Sequence, residues 1–234
     1  MSVVLVTGAS RGIGRAIVTR FAQAGHTVIA CARGQQGLDA LQNALPQVVC
    51  VACDMRDDVA VDALAQRVRA QYGGVDLLVN NAGAFRPGSI AEEDDGVLLE
   101  MLQANLFGAY RLTKRLLPHM IERRSGMVLN ICSTASVAAY PNGGSYSIAK
   151  HALYGMTRNL REEMKPHGVR VVALIPGATH TDSWAGVNLP VERFMPAEDV
   201  AEAAWMAWNL SSRSVVEDIV LRPQKGDIGE ADFQ

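Results

Sequence analysis

Short apolar runs recur along the chain at 3–7, 27–32, 48–52, 77–80, 127–131, 169–175 and 218–221. They are hydrophobic almost without interruption rather than alternating, the pattern of strands covered on both faces. Between them, segments 14–24, 37–44, 59–72, 94–122, 146–164 and 197–210 place apolar residues at helical spacing. This alternation predicts an α/β fold, a doubly wound and mostly parallel sheet of seven strands flanked by helices. Such sheets bind ligands beyond the carboxyl ends of their strands, so polar residues there are the first candidates for chemistry.

The length of 234 residues suits a single domain over 1–234, with no repeat or linker-like shift that would divide it. Segment 177–196 is the longest without periodicity; following the sixth strand, it is expected to be a substrate lid. Charged residues make up 20%, with 22 basic against 24 acidic side chains, so no global positive field is present to hold nucleic acid. No apolar run approaches the roughly 20 residues of a membrane span. Residues 1–7 run into a glycine-rich segment without a signal-peptide pattern, and a cytoplasmic location is expected. Cys31, Cys50, Cys53 and Cys132 lie mostly in apolar runs and are expected to be free thiols; Cys50 and Cys53 lack the second pair or nearby histidines of a metal site.

The first strand leads through Thr7-Gly8-Ala9-Ser10-Arg11-Gly12-Ile13-Gly14 directly into a helix. Glycines at such a junction let backbone approach a pyrophosphate at a helix N-terminus, although the same turn could be a tight strand-to-helix connection. Tyr146 and Lys150 stand four apart, on one face of a predicted helix, and Ser133 ends the fifth strand thirteen positions earlier. A lysine charge about 4 Å from a phenol is worth roughly 4 kcal/mol at an effective dielectric near 20, enough to lower its pKa by up to about three units.

The segment Thr7 to Gly14 resembles the T-G-x-x-x-G-x-G fingerprint of the short-chain dehydrogenase/reductase family, and the resemblance covers nearly the whole chain. Asn80-Asn81-Ala82-Gly83 is similar to the family's N-N-A-G segment, and Pro176-Gly177 with Thr181 to its P-G-x-x-x-T pattern. The resemblance implies a Rossmann-type fold and a catalytic set of Ser133, Tyr146, Lys150 and Asn105. In that set Asn105 stabilises a local break in its helix. Cys132 stands where the family usually has the first of two serines, a departure that leaves the catalytic position filled.

The implied cofactor contacts are Gly8, Ser10, Arg11, Gly12, Ile13, Gly14, Arg33, Asp54, Met55, Asn81, Ala82, Gly83, Tyr146, Lys150, Pro176, Gly177, Thr179 and Thr181. NAD-binding relatives carry an acidic residue at the end of the second strand. Here Ala32-Arg33 stands there, and Arg33 with Arg11 offers two guanidinium groups for a ribose 2′-phosphate, so NADP(H) is the expected cofactor. Asp54 is expected to accept from the adenine amino group, with a helix cap as the alternative.

The implied reaction is hydride transfer between the nicotinamide and a substrate carbonyl, with Tyr146 as proton donor and no metal. A small carbonyl compound or 3-hydroxy acid ranks first as substrate, and a fatty-acyl or steroid-type carbonyl second. A non-catalytic NADPH-sensing protein is the reading from another class. The lid is shorter than in many relatives by roughly a dozen residues and holds Trp184, which could cover a small apolar substrate or anchor the loop. His180 could face substrate or solvent, and His151 is expected to pack. The resemblance also implies a homodimer or homotetramer packed through helices 94–122 and 146–164.

Overall fold

The computed structural model describes residues 1–229 and 232. Seven strands, β1 (Val3–Thr7), β2 (Thr27–Ala32), β3 (Val49–Ala52), β4 (Leu77–Asn80), β5 (Met127–Ile131), β6 (Arg170–Pro176) and β7 (Asp218–Leu221), form one sheet in the order β3-β2-β1-β4-β5-β6-β7. Every pairing is parallel, so the expected mostly parallel sheet is wholly so. The chain starts in the middle and winds outward in both directions, which opens a crevice at the carboxyl ends of β1 and β4.

Helices α1 (Gly12–Gln23), α2 (Gln35–Ala44) and α7 (Ala197–Asn209) cover one face of the sheet. There Ile17, Phe21, Leu41 and Val200 meet the inward side chains of β1, β2 and β6. Phe21 is fully buried, with the Trp205 ring edge-on to it at 5.2 Å. Burying such a side chain contributes about 1.5–3 kcal/mol. Helices α3 (Asp58–Tyr72), α5 (Gly108–Arg123) and α6 (Gly144–Met164) cover the other face through Leu64, Leu112, Leu116, Met120 and Leu160. The central strands are buried on both sides, whereas β7, at an edge, alternates between exposed and half-buried.

The single helix expected over 94–122 is instead α4 (Val97–Leu102), a π-helical turn (Gln103–Phe107) and α5. The turn is centred on the buried Asn105, whose Nδ2 donates to the carbonyls of Met101 and Ala84, both at 3.0 Å. Its Oδ1 accepts from the Ala84 amide at 3.3 Å. Side-chain insertion of this kind interrupts the regular backbone ladder, and π turns concentrate at functional sites. Asp57 caps α3, accepting from the Val59 and Ala60 amides at 2.9 and 3.3 Å, so the cap alternative for Asp54 does not hold. Among the described residues, no helix is long and apolar enough to cross a membrane. The four cysteines are free, and all but Cys50 are buried.

Candidate active site

The glycine loop is built by close approach. Gly8 and Gly12 are left-handed, at φ of 63° and 53°. A Cβ on Gly14 would stand 2.3 Å from the Gly8 carbonyl oxygen. Asn81 fixes this geometry: its Nδ2 donates to the Thr7 and Gly8 carbonyls at 2.9 and 3.0 Å. The Asn81 and Ala82 amides both donate to the Thr7 hydroxyl at 3.0 Å. The Asn81 side chain therefore braces the loop rather than facing the crevice. Ser10 lies against Gly37 of α2, and the Ile13 side chain packs on the core. Helix α1 has no side-chain cap and no acidic residue in its first turn. Its leading N–H groups are therefore a seat for an anion such as a pyrophosphate, which fits a dinucleotide.

Arg33 is exposed just past β2, and its charge helps to lower the Asp54 carboxyl. Arg56 lowers that carboxyl more, gripping it through Nη2 at 2.6 Å and Nε at 3.1 Å. Asp54 thus has an arginine partner that the sequence reading missed. Met55 is buried, with Gly108 against its carbonyl. Arg11 is ion-paired with Asp182 at 2.7 Å, joining the glycine loop to segment 177–196.

Ser133, two residues past β5, caps a short 3-10 turn (Thr134–Ser136) and accepts from the Ala135 amide at 3.1 Å. Tyr146 and Lys150 project from the first two turns of α6. Lys150 is buried, and its Nζ donates to the Ile131 carbonyl at 3.0 Å. Desolvation holds this ammonium down at about 8. Gly83 passes between the two helices, where a Cβ would meet Asn105 Oδ1 at 2.6 Å and Lys150 Nζ at 3.7 Å. Ser133, Tyr146, Lys150 and Asn105 are thus brought together at the carboxyl ends of β4 and β5.

The expected lowering of the Tyr146 phenol is not found. Burial pushes it up, and the Ser133 hydroxyl beside it opposes the shift in part. Lys150 gives its hydrogen bond to Ile131 and stands 5.9 Å from the Tyr146 ring centre, so the desolvation of a phenolate outweighs its attraction. Burial likewise raises the Cys132 thiol to about 11, which leaves it a neutral packing group.

Segment 177–196 is tied down at several points. The Gly177 amide donates to the Leu221 carbonyl at 2.8 Å where Pro176 ends β6. The buried Thr179 hydroxyl donates to the Gly177 carbonyl at 3.0 Å. Thr181 is so near the glycine loop that a Cβ on Gly12 would meet its Cγ2 at 3.0 Å. His180 lies against Phe194, 5.9 Å between ring centres, and lines the groove between α1 and α7 with Arg15 and Glu198. His151 is exposed rather than packed, its Nδ1 2.9 Å from the Ser147 carbonyl.

Trp184 meets Phe194 at 5.2 Å and Phe85 at 6.4 Å between ring centres, and Phe85 stands edge-on to Tyr146 at 4.9 Å. The sequence reading missed Phe85 and Phe194. The available signal for Phe85 was its place two residues past the N-N-A-G segment. Glu93 was missed as well: its carboxylate accepts from the Ser145 amide at 3.0 Å and from the Ser145 hydroxyl at 2.5 Å, one residue before Tyr146.

Residues 2–191 match the family model described as short chain dehydrogenase. The chain is 31% identical over 240 residues to sepiapterin reductase of Chlorobaculum tepidum, covering 97% of this chain and 98% of that protein. It is 32% identical over 236 residues to an NADP-dependent 3-hydroxy acid dehydrogenase of Salmonella typhi, covering 94% of each. An alcohol dehydrogenase of the archaeon Thermococcus sibiricus, solved with 5-hydroxy-NADP, superimposes with a TM-score of 0.90 at 29% identity, covering 98% of this chain and 99% of that one. With its fingerprint glycines at the head of α1 and its serine, tyrosine and lysine converging past β5, the chain belongs to the short-chain dehydrogenase family of oxidoreductases.

Proposed function

We propose that the protein is an NADPH-dependent reductase of small carbonyl compounds, able to run in reverse on the corresponding alcohol or 3-hydroxy acid. The observation that carries this reading is the convergence of Ser133, Tyr146 and the buried Lys150 beside the π turn of Asn105. When bound, the reduced nicotinamide supplies the hydride that turns a carbonyl carbon into an alcohol. Tyr146 delivers the proton to the developing alkoxide oxygen, and Ser133 donates a hydrogen bond to that same oxygen. A phenol held protonated by burial is suited to the role of acid. Lys150 holds the nicotinamide ribose and favours the tyrosinate left behind. Asn105 sets the helix against which Gly83 and Lys150 pack.

NADPH is favoured over NADH because Ala32-Arg33, with no acidic residue, stands at the end of β2, and Arg33 makes no ion pair among the described residues. Arg11 is the second phosphate ligand, in exchange for Asp182. Gly8, Ser10, Gly12, Ile13 and Gly14 cradle the pyrophosphate at the uncapped head of α1. Asp54, Met55 and the backbone of Asn81, Ala82 and Gly83 line the adenine and ribose side, and Pro176, Gly177, Thr179 and Thr181 the nicotinamide side. Segment 177–196 acts as the substrate lid. Exposed Leu98, Leu99, Tyr110 and Ile148 on α4, α5 and α6 support a homodimer or homotetramer, and four free thiols suit a cytoplasmic setting.

The test is NADPH oxidation across ketones, aldehydes and 3-oxo acids, with Tyr146→Phe alongside. Turnover that vanishes in Tyr146→Phe while NADPH still binds is the expected result. Full activity in that variant overturns the mechanism, and NADPH binding without turnover across a broad substrate panel favours the sensing protein instead.

A further inference from the structure

Three segments leave the carboxyl ends of β4, β5 and β6 on the Tyr146 side, 84–96, 134–144 and 177–196, and the first and third reach Tyr146 through Phe85 and through Trp184 on Phe85. Together they carry Glu92, Glu93, Asp94, Asp95, Asp182 and Glu192 against only Arg86 and Arg193 as arginines or lysines. Both guanidinium groups are already engaged. Arg86 lies between Asp94 at 3.6 Å and Glu100 at 3.3 Å. Arg193 pairs with Asp232 through Nη2 at 2.9 Å and donates to the Gly226 and Asp227 carbonyls, both at 2.8 Å. Lys150 is buried on the Ile131 carbonyl. The mouth of the site therefore offers an incoming carboxylate no uncommitted lysine or arginine among the described residues, and His180 of segment 177–196 lies against Phe194 in the groove between α1 and α7.

A helix N-terminus is the other seat an anion could take, and α6 begins at Gly144, two residues before Tyr146. The protein fills it with its own carboxylate. Glu93 accepts from the Ser145 amide and hydroxyl there, and a left-handed Gly144, whose Cβ would stand 2.4 Å from the Gly88 carbonyl, allows the approach. A substrate carboxylate reaching towards Tyr146 meets a like charge. What the wall offers instead is aromatic: Phe85 edge-on to the Tyr146 ring, and Trp184 inclined 30° to Phe85 and backed by Phe194.

We infer that the site takes uncharged carbonyl compounds carrying a flat apolar ring beside the carbonyl, with Phe85 and Trp184 as specificity-determining residues. It discriminates against substrates with a carboxylate near the reacting carbon. This inference rests on the reductase reading above and narrows its substrate class. It disfavours the 3-hydroxy acid arm of that reading, because recognition built on ring faces and fixed carboxylates gains from an apolar body and loses from a negative charge.

The experiment compares kcat/KM with NADPH for benzoylpropionate methyl ester, for benzoylpropionate, and for methyl levulinate, in which a methyl group replaces the ring. The ester is expected to exceed the free acid by about tenfold or more. It is also expected to exceed methyl levulinate, an advantage that shrinks in Phe85→Ala and Trp184→Ala. Glu93→Gln, which keeps an oxygen for the Ser145 amide, is expected to narrow the ester-to-acid ratio. A free acid reduced as well as its ester, or better, overturns the inference and leaves the reductase reading standing.

Failure of all three compounds, together with the wider carbonyl panel, overturns the reductase reading. Calorimetric titration of 1-phenylethanol and of phenylacetate into protein saturated with NADP then tests the inference without turnover. Binding of the alcohol alone supports it, and equal binding of both, or binding of neither, overturns it.

Discussion

Lys150 Nζ donates to the carbonyl of Ile131 at 3.0 Å, at the carboxyl end of the strand that delivers Ser133 two residues later. The same hydrogen bond anchors a buried ammonium and ties α6 to β5. It fixes where the Tyr146 helix sits on the sheet.

That buried ammonium gives stability a pH signature. Its folded pKa of about 8 lies below the ordinary 10.5, so within this window the unfolded chain binds the extra proton. Stability therefore rises with pH from about 8 to 10.5, and the destabilising contribution of the charge is fully present below that window. Urea unfolding of wild type against Lys150→Met across this range is expected to show the difference moving in favour of wild type. A difference independent of pH would mean that the Lys150 ammonium is not held below its ordinary value.

Asn105→Ala is expected to destabilise the fold by about 1–2 kcal/mol, because the half-buried amide and carbonyl of Ala84 and the buried carbonyl of Met101 lose a partner. The π turn should relax towards a regular helix at the same time. Denaturant midpoints read the first effect and turnover the second. Unchanged stability would show that the Ala84 backbone finds another partner.

For Arg33→Ala, NADPH affinity is expected to fall by roughly ten- to a hundredfold with NADH affinity unchanged, the loss of one charge-assisted contact. Arg11→Ala should lose less, since Arg11 already has a partner in Asp182 at 2.7 Å. Fluorescence titration with both nucleotides measures the two variants. Equal losses for NADPH and NADH would place Arg33 away from the 2′-phosphate.

Two glycine-to-alanine changes are expected to have opposite signs. In Gly14→Ala the new methyl would stand 2.3 Å from the Gly8 carbonyl oxygen and 2.4 Å from Asn81 Nδ2, and the loop must open. A loss of about 1–3 kcal/mol together with lost nucleotide binding is expected. Gly155→Ala, within α6 and with nothing within 4 Å, should stabilise by about 0.5–1 kcal/mol. Thermal melts of the two variants decide this.

The strands, the order of the elements and the glycine loop were legible in the sequence. A run such as Val3–Thr7 or Met127–Ile131 states its own burial, and a glycine spacing states a backbone conformation. Tyr146 and Lys150 were legible for the same reason, since one helix turn fixes their shared face. These are local facts, set by periodicity and by the conformational freedom of single residues, and the sequence by itself determined them. The partners of those residues were decided only by the tertiary structure. Glu93 reaches Ser145 across 52 positions and Arg11 reaches Asp182 across 171. Phe85 meets both Tyr146 and Trp184 only because β4, β5 and β6 are neighbours in the sheet. The direction of the Tyr146 shift belongs with them. Spacing places a cation near the phenol, but whether attraction or desolvation prevails depends on how deeply both are buried, and burial is a property of the whole fold.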